Sequence, residues 1–388
     1  MNDDSTHNEH NIPEVNPDPT TPPLLNTLDA SPSCCSPPPM GLTAKVADGC
    51  VTTPVGEIPR VPTKLKLTDL LGRWKARWGM GRMSYLIAPG LYAVGRPDES
   101  SEVFVTANYK MSFDSLRAEL HGRNGWLLVL DTKGINVWCA AGKGTFGTEE
   151  IVKQVQMTRL KEIVAHRRLI LPQLGGPGVS AHEVKDRIGF RVTYGPIRAS
   201  DLPQFLDNGM KASDEMRVVH FAWQDRLVLI PVELMMSLGY LLAAAAVFFI
   251  LSGLGRDLFS LDRMLVVGPI TVLLALSGYL AGVALMPVLL PWLPGRSFAL
   301  KGAMAGLLML LLTALGLWKY TESVPGVFDI VAWTLLIPAV ASFIGMNFTG
   351  SSTYTSLSGV RREMRVAVPL QLGGAVLGLG LWVAARFV

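Results

Sequence analysis

A single cysteine inside an apparently folded stretch carries the most chemistry in this chain. It lies in Asn136-Val-Trp-Cys-Ala-Ala-Gly-Lys143, after an apolar run that ends at Asp131 and the turn residues Thr132-Lys-Gly134. Asn136 is suited to cap a short helix, which places Cys139 in the first helical turn. There the helix dipole and free N–H groups favour a thiolate, the form of cysteine that binds soft metals and attacks electrophiles. Ala140, Ala141 and Gly142 are small, so a flat ligand can approach such a helix closely. A buried structural cysteine is the plainer alternative, and the residue chemistry alone leaves the two open.

The remaining reactive residues form weaker patterns. The other cysteines, Cys34, Cys35 and Cys50, fall in or near a proline-rich stretch, and no C-x-x-C occurs, so the usual spacing of a four-thiolate iron–sulfur cluster is missing. A cysteine-nucleophile enzyme needs a base, and His121, His166, His182 and His220 are scattered with none placed by a motif. Gly142-Lys-Gly-Thr-Phe-Gly147 matches G-x-G-x-x-G. It does not directly follow a strand and has no ribose-binding acid downstream; it also fails the phosphate-loop pattern, because Gly144 follows Lys143.

The elements around Cys139 alternate. Val103–Asn108 reads as a strand and Ser112–His121 as a helix begun by a Ser cap. Trp126–Asp131 is a buried strand, and Thr148–Ala165 an amphipathic helix led by Glu149 and Glu150. Leu169–Leu171 is a short strand. Ser180-Ala-His-Glu183 fits a capping box opening the next helix. A strand at Phe190–Tyr194 and a helix at Ser200–Leu206 complete the series. This order predicts an α/β domain with a Rossmann-like, doubly wound, mostly parallel sheet, whose ligands bind beyond the carboxyl ends of the strands. Ahead of it, Thr68–Trp78 is basic and partly amphipathic, which fits either a helix on an anionic membrane surface or one packed on its own domain.

The 388 residues divide by composition. Residues 1–60 hold 11 prolines and read as a disordered tail. The first 44 residues carry six acids and no Lys or Arg; with a net charge of +4 overall, the rest of the chain is at +10. No cleavable signal peptide is expected, and no nucleic-acid motif accompanies the positive charge. Residues 61–222 form the expected soluble domain and 223–388 a transmembrane domain, with spans near 227–251, 264–286, 299–318, 327–345 and 366–386. Lys and Arg in the short loops favour a cytoplasmic soluble domain on an inner, multi-pass membrane protein. Gly278/Gly282, Gly302/Gly306 and Gly374/Gly378 have the spacing that lets helices touch in lipid. Glu233 is the one acid in the first span, and the hydroxyl-rich loop at 350–359 is a candidate to dock the soluble domain.

The segment NVWCAAGK at 136–143 resembles the signature of the mercury-methylating corrinoid membrane proteins. The surrounding domain resembles the corrinoid domain of the corrinoid iron–sulfur protein large subunit, through GLYAVGRPDESSEVFVTANYK (90–110), LPQLGGPGVSAHEVK (171–185) and GFRVTYGPIRASDLP (189–203). The resemblance covers about residues 61–388. It implies a base-off, cobalamin-type corrinoid with the Cys139 thiolate as axial ligand of the cobalt, and methyl transfer to Hg(II) as the reaction. It further implies a small ferredoxin with two [4Fe–4S] clusters as reductant and a methyl donor protein or methyltetrahydrofolate-dependent methyltransferase. Asn136, Val137, Trp138, Ala140, Ala141, Gly142 and Lys143 are then expected to shape the helix under the cofactor. The loops at 106–110, 172–178 and 194–198 are expected to line it, with Thr106, Asn108, Gln173, Gly175 and Gly195 among their residues. A membrane-anchored methyl carrier of one-carbon metabolism with another acceptor is the alternative. A transporter with a regulatory domain is a further one, though it should show paired intramembrane charges or a repeat.

Overall fold

The computed structural model describes residues 46–318, 326–351 and 357–388. The acidic tail at 1–44 and half of the loop at 350–359 lie outside the described residues.

The first half is a seven-stranded sheet in the order β1-β2-β3-β5-β4-β6-β7. Its strands are β1 (Gly49–Thr53), β2 (Gly56–Arg60), β3 (Gly90–Val94), β4 (Val103–Ala107), β5 (Gly125–Leu130), β6 (Arg168–Leu171) and β7 (Arg191–Tyr194). Only β1/β2 and β3/β5 pair antiparallel; the other neighbours run parallel. Every residue of β4 and β5 is buried, as expected of central strands covered on both faces. The period of two then sorts their side chains. Val103, Val105, Leu128 and Leu130 meet helices α3 (Val137–Lys143), α4 (Thr148–Met157) and α5 (Ala181–Ile188) on one face. Phe104, Leu127 and Val129 meet α2 (Lys110–Glu119) and α6 (Leu202–Asp207) on the other. The sheet is therefore doubly wound and mostly parallel, as the alternation predicts.

Four local expectations change. The hairpin β1–β2 lies within the stretch assigned to the tail; Pro54 sits in its turn, while Val51, Val55 and Ile58 pack on the core, so prolines here shape a sheet edge. Helix α2 starts at Lys110 with Tyr109 before it, not at a Ser112 cap. Helix α4 stops at Met157, because Arg159 turns left-handed at φ 50° before a 3₁₀ turn at Leu160–Glu162. Ser180 precedes α5 but does not cap it: its hydroxyl faces His182 Nδ1 at 3.1 Å, and its N–H donates to Thr148 Oγ1 at 2.9 Å.

Helix α1 (Leu67–Arg77) is fixed to α2 by a buried square of charges. Lys110 Nζ reaches Asp69 Oδ1 and Asp114 Oδ2, each at 2.6 Å; Arg117 reaches Asp69 Oδ2 and Asp114 Oδ1, each at 2.8 Å. Burial pushes the Asp69 carboxyl up, but Lys110, the Lys66 N–H and Arg117 outweigh it and hold it below the usual carboxylate range.

Among the described residues the second half contains five helices long and apolar enough to cross a membrane, Trp223–Leu251, Leu261–Leu289, Phe298–Leu317, Val327–Thr349 and Ser358–Ala384. The three glycine pairs all pack on the fourth of these. A Cβ added at Gly282 or Gly302 would fall 2.9 or 2.6 Å from Ala341 O, and at Gly306, 2.8 Å from Pro338 Cα. At Gly278 it would meet Ile337, at Gly374 Ala339, and at Gly378 Ala332. Glu233 accepts a hydrogen bond from Asn347 Nδ2 at 2.6 Å, which ties the first of these helices to the end of the fourth.

Candidate functional site

The strand order reverses at β4: its successor β5 lies on one side of it and β6 on the other. The carboxyl ends of β4 and β6 thus open a crevice at the topological switch point, where ligands of such sheets bind. The loop after β5 brings α3 to this edge. Asn108, just past β4, holds that loop. Its Oδ1 accepts from Thr132 N (3.1 Å), Thr132 Oγ1 (2.9 Å) and Gly134 N (3.0 Å), and its Nδ2 donates to Asp131 Oδ1 at 3.3 Å. Lys133 and Gly134 are both left-handed, at φ 58° and 71°. Gly134 has a second reason to be glycine, since a Cβ there would lie 3.1 Å from Met83 O. Burial pushes the Asp131 carboxyl up, but the Lys133 ammonium and N–H more than offset it, so its pKa is lowered.

Helix α3 begins as its sequence predicts. Asn136 is extended, and its Oδ1 accepts from Cys139 N at 2.9 Å, so Cys139 is the third helical residue. Gly144, at φ 80°, ends the helix. Among the described residues Cys139 is the free cysteine, and it is exposed, so the buried-structural reading does not hold. The small residues divide in role. Val137, Ala140 and Ala141 turn into the core. Ala141 is small for the glycine loop after β6, because a Cβ at Gly178 would fall 3.0 Å from Ala141 Cα and 2.1 Å from Phe146 O. Gly142 instead faces open space, with nothing within 4 Å of a Cβ placed there. Cys139, Gly142 and Lys143, at i, i+3 and i+4, therefore form one exposed stripe.

The other expected lining residues scatter. Thr106 and Asn108 are buried, and Asn108 spends its side chain on the loop rather than on a ligand. Gly175 lies under the Phe146 ring, 2.5 Å from where its Cβ would be. Gln173 accepts from Arg217 Nη1 at 2.6 Å. Gly195 lines a cavity of about 420 Å³ together with Asn136, Val137 and Trp138. Tyr109, Arg77, Arg82 and Arg198 line the same cavity, as do Val228 and Leu229 at the head of the first apolar helix. The buried Nε of Arg77 has no hydrogen-bond partner. Burial raises the Tyr109 phenol above its ordinary value, so it stays a neutral donor. Cys139 is not among the lining residues, although its neighbours Val137 and Trp138 are. Tyr109 and Arg198 fall in two of the loops expected to line the cofactor, 106–110 and 194–198, whereas sequence reasoning missed Arg77 and Arg82, at which only the basic run before β3 hints.

Residues 82–206 match the family model for the CO dehydrogenase/acetyl-CoA synthase delta subunit. The matched stretch contains β3 to β7, Cys139 and every loop at the crevice, and leaves the apolar helices outside. The chain is 34% identical over 123 residues to the acetyl-CoA decarbonylase/synthase complex subunit gamma of Methanopyrus kandleri, covering 31% of this chain and 26% of that one. It is 32% identical over 129 residues to the protein of the same name from Methanocaldococcus jannaschii, covering 33% and 26%. With the corrinoid/iron-sulfur protein large subunit of Moorella thermoacetica it shares 31% identity over 117 residues, again 30% of this chain and 26% of the relative. The chain thus spans about a quarter of the length of these curated relatives. The stretch that matches the delta-subunit model is followed here, among the described residues, by five apolar helices.

Proposed function

We propose that this chain is a membrane-anchored, corrinoid-dependent methyltransferase that delivers a methyl group to inorganic Hg(II), with Cys139 as the protein's ligand to cobalt. The observation that carries the reading is the exposed Cys139 at the third position of a capped helix, beside a bare Gly142, at the switch-point edge of a corrinoid-protein-like domain. The donor set fits the group. Cobalt carried by a corrin ring would already have nitrogen ligands and would take a single donor from the protein, which Cys139 would supply; among the described residues no three His, Cys, Asp or Glu gather as a bare metal would require.

The chemistry the corrinoid supplies when bound is carriage of a methyl group on cobalt and its release to a thiophilic cation. The residues around it do the rest. Asn136 fixes the backbone of Cys139, and Val137, Ala140 and Ala141 clamp α3 to the sheet, so the thiol is held in place. Gly142 leaves room for a flat group beside the thiol, and Lys143 adds a cation to the same stripe. Arg77, Arg82 and Arg198 make the adjoining cavity suited to an anionic appendage of the cofactor. With no C-x-x-C in the sequence, electrons come from a separate protein, a small ferredoxin with two [4Fe–4S] clusters, and the methyl group from a methyltetrahydrofolate-dependent donor. The distribution of Lys and Arg supports a cytoplasmic soluble domain with the five helices in the inner membrane.

A methyl carrier with another acceptor is favoured by one observation, the names of the archaeal relatives. One experiment tests both readings. Full-length protein is loaded with cobalamin and its visible spectrum compared with those of Cys139→Ala and Cys139→His, and each is assayed for methylmercury from Hg(II). The expected result is a spectrum that changes with residue 139, and methylmercury formed only by the wild type. A Cys139→Ala protein with the wild-type spectrum and full activity refutes the ligand assignment. A cysteine-dependent spectrum without methylmercury, but with methyl transfer to another acceptor, replaces Hg(II) with the carrier reading.

A further inference from the structure

Helix α1 is amphipathic with its faces reversed relative to a domain helix. Asp69 and Ala76 are its buried residues, and Asp69 is held by Lys110 and Arg117. The opposite stripe, at i, i+3, i+4 and i+7, is Leu67, Leu70, Leu71 and Trp74, which are 70%, 49%, 52% and 53% exposed. Met80 and Met83, just after the helix, are exposed too. Ordinarily such a stripe would be driven into the core. Here a polar anchor holds the other face inward, which leaves the apolar one for something else.

The position of α1 says what covers it. A Cβ at Gly79, two residues past the helix, would lie 3.8 Å from Val232 Cγ2 and 3.9 Å from Met235 Cβ, at the start of the first apolar helix. The end of α1 therefore abuts the start of a helix whose own Leu227, Met235 and Met236 are exposed. Lys64, Lys66 and Lys75 are exposed and Arg73 half-exposed along the flanks of the stripe. An apolar face bordered by basic side chains is the pattern of a helix lying in the plane of an anionic bilayer surface. We infer that α1 is an interfacial anchor: Leu67, Leu70, Leu71 and Trp74 enter the lipid headgroup boundary beside the first span and hold the sheet's carboxyl edge at a fixed height over the membrane. This rests on the five apolar helices being spans.

The test is photocrosslinking with the full chain in vesicles of phosphatidylethanolamine and phosphatidylglycerol. p-Benzoyl-phenylalanine replaces Leu71, and in a control replaces Lys185, exposed on α5 away from the stripe. Carbonate washing before irradiation checks that the spans are inserted, so failure of the spans is distinguishable from failure of the anchor. The expected result is lipid adduct at position 71 well above that at position 185. Adduct no higher at 71 than at 185 in carbonate-resistant protein overturns the inference. In native membranes, a protein adduct at 71 in place of lipid also overturns it, and makes the face a docking surface for a partner chain.

Discussion

Replacing Asn108 separates scaffolding from ligand binding. Its Oδ1 takes three donors, but they are not equally dependent on it. Thr132 N–H also reaches Leu130 O at 3.0 Å, and the Thr132 hydroxyl reaches Ile135 O at 2.6 Å. Gly134 N–H has only Asn108, at 3.0 Å. Asn108→Ala therefore orphans one buried N–H, costing about 1–3 kcal/mol, and weakens two shared bonds by about 0.5–1 kcal/mol each. The sum, roughly 2–5 kcal/mol, corresponds to a melting temperature lower by about 5–15 °C for a domain of this size. Asn108→Asp keeps an acceptor for all three donors but sets a second carboxylate 3.3 Å from Asp131 Oδ1. That repulsion is a few kcal/mol at an effective dielectric of about 20. It raises the carboxyl pKa of the pair in the folded state, so the penalty is full at neutral pH and disappears as pH falls through the carboxylate range. Thermal unfolding of the full chain in detergent, followed by tryptophan fluorescence at pH 4 and pH 8, reads both variants. Mass-spectrometric mapping of maleimide on Cys139 reads the loop. The Ala variant should be destabilised at both pH values and label Cys139 faster, and the Asp variant should be destabilised mainly at pH 8. Wild-type melting and labelling in Asn108→Ala would refute the scaffold role.

Other outcomes follow from the same geometry. Gly142→Ala should leave stability equal or raise it by about 0.5–1 kcal/mol, since the position is helical and open, while weakening cobalamin retention in gel filtration. Gly178→Ala should lower the melting temperature sharply, because its Cβ would sit 2.1 Å from Phe146 O. Asp114→Ala should cost about 3–5 kcal/mol in a denaturant titration, because it leaves Lys110 and Arg117 buried with one carboxylate between them instead of two. The lowered pKa of Asp69 contributes stability that is present above the unfolded carboxylate value and lost as pH falls through the folded one. An acid titration of hydrogen exchange should therefore show α1 released from α2 below about pH 4 before the central strands open.

The parts of the fold that read clearly from the sequence were those with one dominant signal. β5 is a continuous apolar run because both its faces are covered, and Asn136 announces the start of α3 because few other residues cap a helix so well. The hairpin at 49–60 was hidden by its prolines, which look the same in a disordered tail and in a tight turn beside an edge strand. Cys139 stood out by its type, yet its neighbours did not reveal their directions. Ala140, Ala141 and Gly142 are alike in size, but only helical phase decides that two face the core and one faces outward. Asn108 shows the same limit: an amide at a strand end reads equally as a ligand contact or as a loop anchor. Of the cavity wall, the loops that carry Tyr109 and Arg198 were legible as loops beyond strand ends, but Arg77 and Arg82 were not, because they reach the cavity only after the chain has folded.

The convergence of six glycines on the fourth apolar helix has a consequence for how the chain is made. The second and third helices carry their grooves before the ridge that fills them has been synthesised, and the fifth arrives to a ridge already in place. Until Val327–Met346 emerges, the first two helices can already meet through Ser237 and Tyr279, but the glycine grooves of the second and third stand unfilled. A nascent chain halted after residue 318 should accordingly be a substrate for membrane quality-control proteases. One halted after residue 351 should already hold most of the bundle, because the keystone arrives late and settles several joints at once.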